Sequence, residues 1–177
     1  MTRARLTVDL ALGAVAALVG TSLAVLAVAH VDDRYRVDFV SGTWLALADY
    51  ATRGTLFPPE YDDGFLGGTR YMPLPVLLDA AAVELTGDLL VGAKLATYAV
   101  AAALLALAFA VLRRVGCPLL LALGLLAALV ATPTGLVGTL GLRNDGLAVA
   151  IQLGAVLVAL RARGAVGFAS AGALAAL

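Results

Sequence analysis

The sequence has 177 residues, of which 62% are hydrophobic and only 14% are charged, and its 12 basic and 12 acidic residues cancel. Soluble domains carry about 45–50% apolar and about 25% charged residues, so this composition excludes an ordinary soluble domain. The apolar runs are continuous rather than alternating, which excludes a transmembrane β-barrel pattern. We therefore expect an all-α protein, a polytopic transmembrane helical bundle.

Four apolar segments approach the roughly 20 residues that a helix needs to cross a bilayer, and a fifth is shorter. The predicted spans are residues 6–29, 89–112, 118–137 and 142–160, followed by a partial span at 164–177. Because the last segment is too short to cross, we expect a single membrane domain, residues 1–177, that is the N-terminal part of a larger protein. A five-helix protein with a short last helix is the alternative.

Arginines at the span ends predict the orientation of the chain. If the N-terminus is cytoplasmic, six of them fall on the inner side, as the positive-inside rule requires. They are Arg3, Arg5, Arg113, Arg114, Arg161 and Arg163. Residues 30–88 then form a large first extracytoplasmic loop, which holds ten of the twelve acidic residues. The sequence therefore predicts a plasma-membrane protein with a cytoplasmic N-terminus.

The loop contains two segments that we expect to be interfacial helices. The first has an apolar stripe on one face and is predicted to lie on the membrane surface and to stop at Gly54. Its stripe consists of Phe39, Trp44, Leu45, Leu47 and Ala48. The second covers residues 71–87, where Asp79 and Glu84 argue against burial in lipid, because a carboxylate at mid-bilayer costs roughly 2.5–3.5 kcal/mol.

Several motifs follow one another in a recognisable order. An aspartate after the first span precedes "WLALADYATRGTLFPP", "YMPLPVLL" and "LTGD", a lysine enters the second span, and "RNDGLA" opens the fourth. This order resembles the N-terminal half of GT-C class membrane glycosyltransferases, a group that includes protein mannosyltransferases, aminoarabinose transferases, and arabinofuranosyl and mannosyl transferases. The resemblance implies transfer of a sugar from a polyprenyl-phosphate donor to a lipid, glycan or protein acceptor on the extracytoplasmic face.

The resemblance also implies candidate site residues. Asp38 matches the loop acid that serves in that family as the base, with or without a divalent metal, and Asp145 matches a second acid. Asp32 and Asp33 are reserve candidates for the base. A carboxylate can take the proton from an acceptor hydroxyl during attack. Cations must offset the charge on the leaving phosphate, and those available at the outer face are Arg70, Lys94 and Arg143.

Most of these candidates also have a simpler interpretation. Asp38 and Asp145 are both suited to cap a helix N-terminus. Lys94 could extend its ammonium to the interface. The charges from Asp32 to Arg36 could anchor the end of the first span in water, and Asp62 and Asp63 are typical turn residues.

Other chemistry lacks the residues it would need. With one histidine and one cysteine the sequence has no zinc motif, so no metal ligands are assigned. Its basic residues are too dispersed for nucleic-acid binding. The competing class is a non-catalytic membrane protein, namely a transporter or flippase fragment or a complex subunit. A transporter should carry charged or helix-breaking residues within its spans, and Pro133 with its neighbouring glycines is the one such feature.

Overall fold

A computed structural model describes residues 3–34, 39–60, 73–142, 145–162 and 164–176, with the backbone alone at 3–5 and 39. Within these ranges 83% of residues are helical and no strand occurs, which confirms the all-α class. The helices are α1 (Arg3–Ala29), α2 (Phe39–Thr52), α3 (Pro73–Thr86), α4 (Leu89–Arg114), α5 (Leu119–Val130), α6 (Pro133–Leu140), α7 (Asp145–Arg161) and α8 (Ala165–Ala175).

Two of the described helices are long and apolar enough to cross a membrane. They contain the segments Leu6–Ala29 and Leu89–Arg114, with mean hydropathies of 2.2 and 2.4. Their positions agree with the first two predicted spans, 6–29 and 89–112. A third crossing exists if the bent pair α5 and α6 counts as one span. The described part of the chain therefore has two to three helices capable of crossing a membrane.

The third predicted span, 118–137, is not one continuous helix. α5 and α6 meet at an angle of 87°. Thr132 has an extended backbone (φ −72°, ψ 152°), and its hydroxyl accepts a hydrogen bond from Gly135 N at 3.0 Å, so it caps α6. Pro133 occupies the first turn, where its missing N–H costs nothing. Because a residue before proline disfavours the helical conformation, the chain breaks here and starts a new helix.

The last two helices are shorter than α1 and α4. α7 has 17 residues and packs along α4, and α8 has 11 residues and packs on α7. An Arg114 guanidinium N–H donates to Leu160 O at 3.4 Å, so the C-terminal ends of α4 and α7 lie side by side. The two helices are therefore roughly parallel. Because α7 is the shorter helix, it begins partway along α4 and not beside the first residue of α4. Neither α7 nor α8 alone reaches the 18 residues of a candidate span.

The two loop helices pack on protein. Trp44 and Leu47 of α2 form a buried cluster with Val76 of α3, and Leu45 packs against a second cluster that includes Leu90 of α4. The apolar stripe of α2 therefore faces α3 and α4, although we expected it to face the membrane surface. An amphipathic pattern shows that one face is buried but does not show by what.

Two glycines fix the connections of these loop helices. Gly54 follows α2 with φ of 83°, a left-handed conformation that glycine adopts without strain, so the predicted stop of this helix is confirmed. At Gly92 a Cβ atom would lie 2.6 Å from the Val83 Cα, which shows how closely α3 and α4 approach each other. In α3, Val76, Asp79 and Ala80 are buried and Glu84 is exposed. Of the two acids, Asp79 therefore lies inside the protein and Glu84 on its surface.

Candidate functional site

Three of the five predicted site residues lie outside the described residues. They are Asp38, Arg70 and Arg143. Lys94 and Asp145 are described, Lys94 in α4 and Asp145 at the start of α7. The reserve candidates Asp32 and Asp33 follow the end of α1, Asp32 exposed and Asp33 half-buried.

Lys94 is a buried residue of α4, with 5% of its surface exposed. Its ammonium donates to His30 O and, at 3.2 Å, to Asp33 O. These carbonyls follow the last turn of α1, where a cation compensates the partial negative charge of the helix end. A snorkelling lysine would expose its head group to water, whereas this one joins α4 to the end of α1.

Further polar groups surround this contact. The Tyr98 hydroxyl donates to Ala27 O at 3.4 Å, and His30 Nδ1 lies 3.2 Å from the Asp33 carboxylate. A cavity of about 60 Å³ beside Lys94 is lined in part by Ser41 and Tyr98. This volume suffices for a few water molecules and is too small for a sugar. The polar groups around Lys94 therefore connect α4 to the end of α1.

Asp145 is the first residue of α7, and its side chain is exposed. A Cβ on the next residue, Gly146, would lie 3.5 Å from Val100 Cγ1. Val100 is eleven residues after Leu89 in a helix of 26 residues, so it lies about 16 Å along α4. Asp145 thus lies beside the middle of α4, whereas the sequence suggested the outer end of a span.

The early end of α5 accounts for this depth. α5 ends at Val130, and the chain continues into α6 at an angle of 87°. α7 then begins beside the middle of α4. A carboxylate in the first turn of a helix is favoured by the helix dipole, so the interpretation of Asp145 as a helix-stabilising residue stays open. If α4 crosses a membrane, Asp145 lies at a depth where an ionisable group is a candidate for a functional role.

A cavity of about 540 Å³ lies between α4, the α5–α6 bend and α7, and Asp145 is part of its wall. We call it the bend cavity. Its wall consists mainly of apolar side chains, with Leu105 and Leu153 among them. The wall also includes Thr132, Thr134 and Thr139, and the hydroxyls of Thr132 and Thr139 donate to nearby backbone carbonyls. Its volume is within the roughly 300–1,000 Å³ of typical ligand sites.

The bend cavity was not predicted from the sequence, because it exists only where α5 and α6 part. The local signal for it was a capping threonine directly before a proline inside an apolar run, Thr132 and Pro133. That pair is a helix start signature and could have located the break.

The part of the chain that the structure describes contains no group of three histidine, cysteine, aspartate or glutamate side chains able to hold a metal ion. No protein-family model, no curated protein and no solved structure matches the chain.

Proposed function

We propose that the chain is a GT-C type membrane glycosyltransferase, a polytopic bundle in the plasma membrane with a cytoplasmic N-terminus and residues 30–88 as its large outer loop. It would transfer a sugar from a polyprenyl-phosphate donor to a lipid, glycan or protein acceptor on the extracytoplasmic face. The main support is the exposed carboxylate of Asp145 at the wall of a large apolar cavity. An acid beside an apolar groove suits a reaction between membrane-held substrates.

The proposed reaction needs one base and local positive charge. The acceptor hydroxyl oxygen attacks the anomeric carbon, the bond from that carbon to the phosphate oxygen breaks, and the phosphate leaves with the electron pair. The carboxylate of Asp38 or Asp145 takes the hydroxyl proton. Arg70 and Arg143 are the proposed partners of the phosphate charge.

Lys94 is better suited to a positioning role than to direct phosphate binding. An ammonium has three N–H donors, and two of them already bind the carbonyls of His30 and Asp33. By holding the end of α1, Lys94 fixes the point from which the chain continues toward Asp38. Its effect on transfer would then be exerted through the loop.

The test is transfer of radiolabelled sugar from polyprenyl-phosphate donors by the full chain in membranes. Of Asp38→Asn and Asp145→Asn, the substitution that removes the base should lower transfer by about 100-fold or more, the usual contribution of a general base. Glu84→Gln, which removes an exposed acid of α3, is the matched control and should retain transfer. Unchanged transfer in both asparagine variants, or no transfer by the wild-type chain with any such donor, would contradict the proposal.

A transporter or flippase is the second candidate, and the bend between α5 and α6 favours it. Broken helices line the substrate sites of many transporters. The mainly apolar wall of the bend cavity weighs against a path for a water-soluble solute. Movement of fluorescent lipid between the leaflets of vesicles that contain the chain, without sugar transfer, would favour this alternative.

A further inference from the structure

We infer that the bend cavity binds the hydrocarbon chain of a membrane lipid alcohol, with the lipid hydroxyl against the carboxyl group of Asp145. As a statement about the acceptor, this rests on the proposed function and selects a lipid hydroxyl among the acceptors left open there. As a statement about binding, it stands on the cavity itself and is tested without sugar transfer.

The surroundings of the cavity indicate that its ligand enters from the membrane. Wall residues from three helices carry exposed apolar side chains, namely Leu129 at 56%, Val137 at 48% and Val149 at 46% exposure. The wall also includes Leu104 and Leu105, which lie in the middle third of the candidate span α4. An opening bordered by apolar side chains beside the middle of α4 adjoins lipid chains. A ligand therefore enters the cavity laterally, from within the bilayer.

Recognition must come from the polar end of the ligand. A lipid tail gains little by leaving other tails for an apolar cavity, because the bilayer interior is as apolar as leucine. A hydrogen bond to a polar group among such tails contributes more to binding, because no water is available to form that bond in its place. Among the described residues of the wall, Asp145 is the charged one and therefore the group expected to select the ligand.

The carboxyl group restricts the chemistry of that polar end. A phosphate would be repelled by an ionised carboxylate, and an ammonium would lose its hydration at a large cost in apolar surroundings. A neutral hydroxyl costs much less to desolvate. It donates to the ionised carboxylate and accepts from the protonated acid, so it binds Asp145 in either state.

The experiment is photo-crosslinking to the full chain in phosphatidylcholine vesicles. The probe is hexadecanol with a diazirine in its chain, and the matched probes are its methyl ether, which lacks the donor, and its phosphate ester. The alcohol should label wall peptides of α4, α6 and α7 about ten times more than either matched probe, as expected for one hydrogen bond to a carboxylate.

Two variants and one control localise the label. Gly138 belongs to the wall, and a Cβ there would meet nothing within 4 Å, so Gly138→Leu should fill the cavity and abolish selective labelling. Asp145→Leu should reduce labelling by the alcohol to that by the ether. Gly154 also has open space within 4 Å but is not part of the wall, so Gly154→Leu should label like wild type.

The outcomes separate this inference from the proposed function. Equal labelling by alcohol and ether, preference for the phosphate ester, or undiminished labelling in Gly138→Leu would overturn the lipid-alcohol site. Selective labelling in a chain that transfers no sugar would support the site and remove the enzymatic function. Sugar transfer to a soluble acceptor without selective labelling would retain the function and overturn the inference.

Discussion

The bend between α5 and α6 should depend on a glycine at position 135. A Cβ there would lie 2.1 Å from Leu129 O and 2.8 Å from the Val130 Cα, and both are backbone atoms that cannot rotate away. Normal non-bonded separations are about 3.5 Å, so Gly135→Ala requires the Cβ and Leu129 O to separate by about 1.4 Å more. Overpacking of this kind costs about 1–3 kcal/mol. The better helix propensity of alanine offsets about 1 kcal/mol of it, which leaves a net loss of up to about 2 kcal/mol.

Gly138→Ala is the matched control, because Gly138 lies three residues later in the same helix and its Cβ would meet nothing within 4 Å. This substitution should raise stability by about 0.5–1 kcal/mol, because alanine loses less backbone entropy than glycine on folding. The two alanine variants are therefore expected to change the free energy of unfolding in opposite directions.

Two measurements test the pair of variants. Unfolding by sodium dodecyl sulfate in mixed micelles gives the order of stability. Spin labels at the half-exposed Leu121 and Leu136, in a Cys117→Ser background, report the bend. The backbone separation is about 17 Å for a right-angle bend and about 22 Å for a straight helix. Gly135→Ala should lengthen it and Gly138→Ala should not. Equal stability and equal distances in the two variants would refute the dependence of the bend on this close approach.

Two further substitutions test the packing around α4. Lys94→Met should lower the free energy of unfolding by about 2 kcal/mol, because it removes charged hydrogen bonds to the end of α1, with partial relief from no longer burying an ammonium. Detergent unfolding checks this, and a variant as stable as wild type would contradict it. Gly92→Ala should displace α3, because its Cβ would lie 2.6 Å from the Val83 Cα. Trp44 is 7% exposed and packs on α3, so its fluorescence should shift to the red; Gly154→Ala is the control, and no shift in Gly92→Ala would refute the close contact.

The long apolar helices were predictable because hydropathy is a local property. Residues 6–29 and 89–112 are apolar throughout, and α1 and α4 cover them. Residues 118–137 are equally apolar, but averaging over a window conceals a break between two residues. The break at Thr132 and Pro133 depends on capping and backbone conformation, which hydropathy does not measure.

The surroundings of the candidate residues were harder to predict, because they depend on contacts between distant parts of the chain. The sequence placed Lys94 at the outer face but gave no reason to expect its contact with His30, 64 residues earlier. In the same way, the stripe on α2 indicated a buried face, and only the packing showed that Leu45 meets α4 instead of lipid. The depth of Asp145 follows from the bend that precedes it.

The unequal lengths of α1 and α7 would act on the surrounding bilayer. The apolar segment Leu6–Ala29 of α1 has 24 residues and the whole of α7 has 17, so their helical lengths are about 36 and 25 Å, against a hydrocarbon thickness of about 30 Å. In the proposed membrane orientation, lipid beside α7 must thin while lipid beside α1 thickens or the helix tilts. Hydrophobic mismatch would then differ between the two sides of the molecule, and no single bilayer thickness would match both helices.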